Sequence, residues 1–195
     1  MGDAARILIV CTGNICRSPF IERLLQHEVD ERRSRSDRGI IVSSAGTNAF
    51  AGSAMDLRVA AQLLAHGGDD SGFRARDLTP ALIAESDLVL TATRGHRGKV
   101  ALMSPKALRR VFTFRDFADL AAGVDMPRAS LTEKDLRAWV RQVTEKAAAN
   151  RGLKPPLPLD VADIVDPYRR QDGVLAAMVQ QVVDSMPAVV RALGG

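Results

Sequence analysis

Arg6-Ile7-Leu8-Ile9-Val10-Cys11-Thr12-Gly13-Asn14-Ile15-Cys16-Arg17-Ser18-Pro19 is the stretch whose reading decides the fold. Arg6 to Val10 is a near-continuous apolar run, the pattern of a strand buried on both faces. Cys11 to Ser18 breaks it with a polar loop containing one glycine. Pro19 stands where a helix begins, and Phe20, Ile21, Leu24, Leu25 and Val29 follow at helical spacing. Buried strand, polar loop and amphipathic helix in succession make the opening of a βα unit.

The same alternation continues along the chain. Ile40-Ile41-Val42 reads as a second strand running into Ser43-Ser44-Ala45-Gly46-Thr47, and Asp56 to Ala65 as a helix. Thr79-Pro80 opens a short helix before a third strand, Asp87 to Leu90. A helix over Gly95 to Met103 leads to a fourth strand, Val111 to Phe114. The fold class is therefore α/β: a small doubly wound domain with a four-stranded parallel sheet and helices on both faces. Such sheets bind ligands outside the carboxyl ends of their strands, and the Cys11–Ser18 loop starts at one of them.

From Arg115 to Pro158 the rhythm changes. Ser130-Leu131-Thr132-Glu133 resembles a capping box, with Leu136, Trp139, Val140 and Val143 as an apolar stripe behind it. The expectation is one domain over residues 1–195 with a helical insertion at about 116–158. Lys154 to Pro158 is a stiff, proline-rich return, Asp166-Pro167-Tyr168 a turn, and Gly173 to Leu193 a final helix with Pro187 as a candidate bend. A length of 195 residues suits a single core.

Composition narrows the function. The net charge is +4, but the cations are spread through every segment without a polybasic tract. That favours anionic substrates generally and gives no nucleic-acid footprint. The runs named above are strand-sized, and Asp3 and Arg6 at the N-terminus do not suit a signal peptide. A cytoplasmic location is the default expectation, with secretion by a route independent of a signal peptide left open. There are only two cysteines, Cys11 and Cys16, too few for a disulfide framework and poorly placed for zinc. No metal or cofactor is expected.

A cysteine six positions before an arginine is a weak signal by itself. The setting makes it specific. A loop between a buried strand and a helix turns successive N–H groups toward a tetrahedral anion, and the helix N-terminus adds its positive end. Thr12, Gly13, Asn14, Ile15, Cys16 and Ser18 would line this cup. Gly13 and Asn14 tolerate left-handed backbone, and Arg17 offers a planar fork to two phosphate oxygens. Cys11 at its base is placed to act as a thiolate nucleophile without a histidine base, with Ser18 donating to the sulfur.

Val10 to Pro19 resembles the signature of the low-molecular-weight protein tyrosine phosphatases. Ser44-Ala45-Gly46-Thr47 is similar to that family's second-strand motif, and Asp166-Pro167-Tyr168 to its general-acid loop. The resemblance implies a phosphocysteine at Cys11, Arg17 on the phosphate, and Asp166 as the acid and then the base. It further implies a network through Asn14, Ser18 and Ser44, and a cleft walled by Phe50 and Tyr168. The partner would be a phosphotyrosine protein and the product phosphate. Arg169 departs from the second aromatic that many members carry, which suggests acidic surroundings for the phosphoester. Phe73 stands where several relatives place a supporting histidine. Cys16 is the expected redox partner of Cys11.

Three other readings compete. A same-fold arsenate reductase of the thioredoxin-coupled kind needs further cysteines, and none follows Cys16. Protein-arginine phosphatases tend to carry Thr at the position of Ile15. A phosphate-sensing or nucleic-acid-binding regulator would have no need of Cys11, Arg17 and Asp166 together.

Overall fold

A computed structural model describes residues 4–32, 39–124 and 133–195. Four parallel strands, β1 (Ala5–Cys11), β2 (Ile40–Gly46), β3 (Leu88–Thr91) and β4 (Val111–Thr113), form a sheet in the order β2-β1-β3-β4. The two-residue period of a strand divides the core into two layers. Ile7, Ile9, Leu88, Leu90 and Phe112 face one layer, whereas Leu8, Val10, Val89 and Val111 face the other.

The first layer is covered by α1 (Arg17–Glu31), α5 (Phe114–Ala122), α6 (Glu133–Asn150) and α8 (Asp172–Ala192), with α2 (Leu57–Ala65) at its edge. The second is covered by α3 (Pro80–Glu85), α4 (Arg94–Met103) and a 3-10 turn over Pro105–Arg110. A short α7 (Leu159–Ala162) follows the proline-rich return. The apolar positions read for the first helix, Phe20, Ile21, Leu24, Leu25 and Val29, are all buried.

Helix starts follow their caps. Asp56 accepts from the Arg58 and Val59 N–H groups, Thr79 from Leu82 and Thr93 from His96. Thr113 accepts from the Asp116 N–H, so the chain turns helical at Phe114. The fourth strand consequently ends one residue before the expected Phe114, and α5 runs into the 116–158 segment expected as a helical insertion, ahead of the helix read there. The first helix likewise begins at Arg17, two residues before Pro19. The capping box at Ser130-Leu131-Thr132 lies outside the described residues.

α8 is long and apolar enough to span a membrane, with a mean hydropathy of 1.4. Its stripe of Leu175, Met178, Val182, Met186, Val189 and Val190 is nevertheless buried in the first layer. It runs unbroken through Pro187.

α6 is bound into the core rather than appended to it. Leu136, Trp139, Val140, Val143 and Ala147 are buried, and the Trp139 indole N–H donates to the Ala192 carbonyl at 2.9 Å. At the start of β3, the Asp87 carboxylate is only 2% exposed and accepts from the Arg6 N–H, Arg137 and Arg141 at 2.7–3.1 Å. Burial pushes its pKa up, but these hydrogen bonds outweigh burial and hold it below the ordinary carboxylate value. Its stabilisation is therefore present above the ordinary carboxylate pKa and lost as pH falls below it. Asp87→Ala should cost about 1–3 kcal/mol at pH 7, since both arginines keep partial hydration. Urea unfolding should show the difference from wild type narrowing below about pH 4.

Candidate active site

Cys11, the last residue of β1, is buried, and the loop after it is shaped by how its carbonyls are used. The carbonyls of Cys11, Thr12, Gly13 and Ile15 accept from the N–H groups of Thr47, Asn48, Phe50 and Asp56 at 2.9–3.1 Å. With the carbonyls engaged outward, the N–H groups of the same peptides face the interior of the loop. Among the described residues none of the N–H groups from Gly13 to Cys16 donates to a protein acceptor. α1 begins here with no side-chain cap and no acidic residue in its first turn. Its free N–H groups and positive end are thus left for an anion. Gly46 permits the close approach of β2's end, because a Cβ there would overlap the Thr12 carbonyl oxygen.

The side chains complete a directional network. Asn14 takes left-handed backbone, with φ of 54°, and its amide donates to Ser18 Oγ at 2.8 Å and to Ser44 Oγ at 2.7 Å. Ser18 Oγ lies 2.9 Å from Cys11 Sγ, where its own O–H is available to a thiolate. The Ser44 hydroxyl donates in turn to Glu22 at 2.5 Å, and the Asn14 carbonyl accepts from the Arg76 N–H. Burial pushes the Glu22 carboxyl up, against the opposing effect of the Ser44 hydrogen bond. Glu22 and Arg76 supply the support that Phe73, buried in the core, does not. Neither stands out from sequence alone.

Arg17 and Asp166 meet across the mouth of the loop, with Nη2 donating to Oδ2 at 2.6 Å. Arg17 is buried and Asp166 half-exposed. Phe50 and Tyr168 pack ring to ring at 5.5 Å, and with Ile15 they wall a cleft of about 150 Å³ over Cys11. Asn48, which the sequence reading passed over, also lines it. Arg169 has φ of 56° and stacks its guanidinium over the Tyr168 ring at 5.1 Å, outside the cleft lining. Arg58 anchors the acid-bearing loop by donating to the carbonyls of Pro167 and Arg170.

Two further groups touch the loop. Both cysteines are free thiols, and Cys16 packs beneath the loop, where burial and then Asp56 push its pKa up to about 12. His96, at the start of α4, is 2.8 Å from Thr12 Oγ1 and 2.7 Å from Thr93 Oγ1. Burial and the Arg17 charge lower its pKa to about 4, so the imidazole is neutral near pH 7. Thr93 Oγ1 already accepts from the His96 backbone N–H. The neutral ring carries a single N–H, so it donates to one of the Thr12 and Thr93 hydroxyls and accepts from the other. The signal in sequence was position: His96 follows the carboxyl end of the third strand.

A buried cysteine in an amide-lined loop, with an arginine fork and a facing carboxylic acid, belongs to the class of cysteine-dependent phosphatases. Comparison narrows the class: the low molecular weight phosphotyrosine protein phosphatase family model matches residues 6–153, and the chain belongs to that family. A probable low molecular weight protein-tyrosine-phosphatase, EpsP of Ralstonia nicotianae, is 27% identical over 191 residues, 96% of this chain and 97% of that protein. Wzb of Vibrio vulnificus in complex with benzylphosphonate superposes with a TM-score of 0.65 at 23% identity, covering 97% of this chain and 99% of the other. The YwlE arginine phosphatase of Geobacillus stearothermophilus gives 0.66 at 24% identity, covering 96% and 91%. At these identities the two structures share the fold.

The neutral His96 has a measurable signature. Its folded pKa of about 4 lies below the ordinary 6.5, so the unfolded chain binds the extra proton between those values. Wild-type stability should decline as pH falls from about 6.5 to about 4, by at most about 3 kcal/mol from this residue. His96→Gln, whose amide can donate or accept toward Thr12, should remove that slope in denaturation measured across the pH range.

Proposed function

We propose that Cys11, Arg17 and Asp166 carry out phosphotyrosine hydrolysis on protein substrates through a phosphocysteine intermediate. The observation that carries the reading is the pairing of Arg17 with Asp166, 149 positions apart, over the loop that begins at Cys11. The inward N–H groups and Arg17 hold the phosphate oxygens. The Cys11 thiolate attacks phosphorus, the bond to the phenolic oxygen breaks, and Asp166 gives that oxygen its proton. Water then attacks the phosphocysteine, Asp166 takes its proton, and the sulfur leaves as thiolate with the Ser18 hydroxyl donating to it. Phosphate binding draws Arg17 from Asp166, releasing the carboxyl for proton transfer.

Ile15, Phe50 and Tyr168 form a wall suited to an aromatic ring. Among the described residues, Asp166 is the one acidic side chain lining the cleft, which favours phosphotyrosine over phosphoarginine. Arg169 at the rim favours acidic sequence around the phosphotyrosine. Residues 1–195 act as one phosphatase unit. We assign it to the cytoplasm, where both thiols remain reduced.

Cys11→Ser should abolish turnover of para-nitrophenyl phosphate. Asp166→Asn should lose far more activity on phenyl phosphate than on esters of acidic phenols, because only the former needs its leaving group protonated. Equal losses across leaving groups would make Asp166 a structural residue.

Cys16 adds a redox expectation. Its proximity to Cys11 is felt electrostatically, since the Cys11 charge raises its pKa. Peroxide converts the Cys11 thiolate to sulfenic acid, and attack by the Cys16 sulfur forms the disulfide with loss of water. Because Cys16 is mostly protonated, that capture is slow and competes with further oxidation. Dithiothreitol should restore wild-type activity more fully than that of Cys16→Ser after matched peroxide exposure. Equal recovery would leave Cys16 as packing alone.

A further inference from the structure

The segment between β4 and the acid loop builds a second cavity, outside the Cys11 cleft. It measures about 420 Å³ and lies between the start of α4, α5 and the proline-rich return. Its apolar lining comes from Leu120, Pro155, Pro156 and Leu157, and its charge from four cations and two carboxylates.

The charges do not balance. Asp116 is matched by Arg94 at 3.4 Å and Asp119 by Lys154 at 3.3 Å. Arg97 and Arg151 have no carboxylate partner among the described residues. Arg97 Nε is buried without a hydrogen-bond partner. Arg151 is held by the carbonyls of Leu108 and Val111 and stacks over Phe112 at 3.7 Å, so it is fixed in place. Burial and then the Arg97 charge lower the Arg151 pKa to about 10. Two guanidiniums that disfavour each other beside an apolar wall are complementary to an anion with an apolar body.

The cavity is also wired to the acid loop. Arg94 Nη2 donates to the Leu157 carbonyl at 2.6 Å, and the Arg94 N–H donates to Asp163 at 2.8 Å. The next residue, Ile164, gives its N–H to Ala92 and its carbonyl to Arg17 Nη1. Asp166 follows two residues on. A short hydrogen-bonded path thus joins the Leu157 wall to Arg17 and to the loop that carries Asp166.

We propose that this cavity is an effector site for a small organic anion with an apolar body, bound between Arg97 and Arg151 and coupled to the acid loop through Arg94. The binding half is independent of the catalytic reading above; the coupling half rests on it.

The test uses the full chain and 2-naphthoate as probe, with inorganic phosphate saturating the Cys11 loop. Calorimetry should show saturable binding at or below about 1 mM. Naphthalene-2-carboxamide, which lacks the charge, should bind at least tenfold more weakly. Arg97→Gln should weaken naphthoate at least tenfold with an unchanged melting temperature, because its guanidinium has no partner to lose. Lys106→Gln, on a cleft lined by Asp87, Arg137 and Arg141, should leave binding unchanged. With phenyl phosphate saturating, naphthoate should change kcat twofold or more in wild type and not in Arg97→Gln. Absence of saturable binding, displacement by phosphate, or indifference to Arg97→Gln would overturn the site. Binding with an unchanged kcat, in an enzyme that Cys11→Ser inactivates, would overturn the effector role while leaving the catalytic reading intact.

Discussion

The outward engagement of four carbonyls, those of Cys11, Thr12, Gly13 and Ile15, is the constraint on which the site depends. A peptide plane cannot turn its C=O out without turning its N–H in. The 47–56 segment therefore does more than connect β2 to α2: by donating to those carbonyls it makes an anion cup out of a loop with no charged residue before Arg17. The glycine at 46 and the left-handed Asn14 are local consequences of that arrangement. One must admit a neighbouring backbone, and the other must bend the chain around the cup.

Side-chain hydrogen bonds then tie the loop to distant segments. Asn14 donates to both Ser18 and Ser44, and Ser44 donates to Glu22, while the Ser18 hydroxyl stays beside Cys11 Sγ. On the other side, a neutral His96 bridges Thr12 and Thr93. The loop is thus held from two sides by hydrogen bonds from distant segments. Arg17 remains the dominant local cation, and its attraction to Asp166 spans the mouth.

The 116–158 segment shows how an addition becomes structural. α6 buries an apolar stripe against the main layer and satisfies Asp87 at the start of β3, while the return after it encloses a cavity with two unmatched guanidiniums. Partly buried like charges are costly, and Arg151 beside Arg97 and an apolar wall gives this region a chemical character that packing alone would not need.

Much of this was legible from residues. The period-two and continuous apolar runs gave four strands in order, because burial on both faces demands them. The Cys11–Ser18 loop was readable because its glycine, asparagine, arginine and following proline all answer one local geometry. The start of α5 shows the limit: Thr113 could continue a strand or cap a helix, and only its acceptance from the Asp116 N–H decides. By itself, then, the sequence determined the parallel α/β sheet and the position of the Cys11–Ser18 loop, since both follow from short-range pattern. Tertiary structure alone decided that Asp166 meets Arg17, that Glu22, Arg76 and His96 support the loop, and that Arg97 and Arg151 share a cavity. Those relations depend on how distant segments pack, and no local periodicity encodes a contact between residues far apart in the chain.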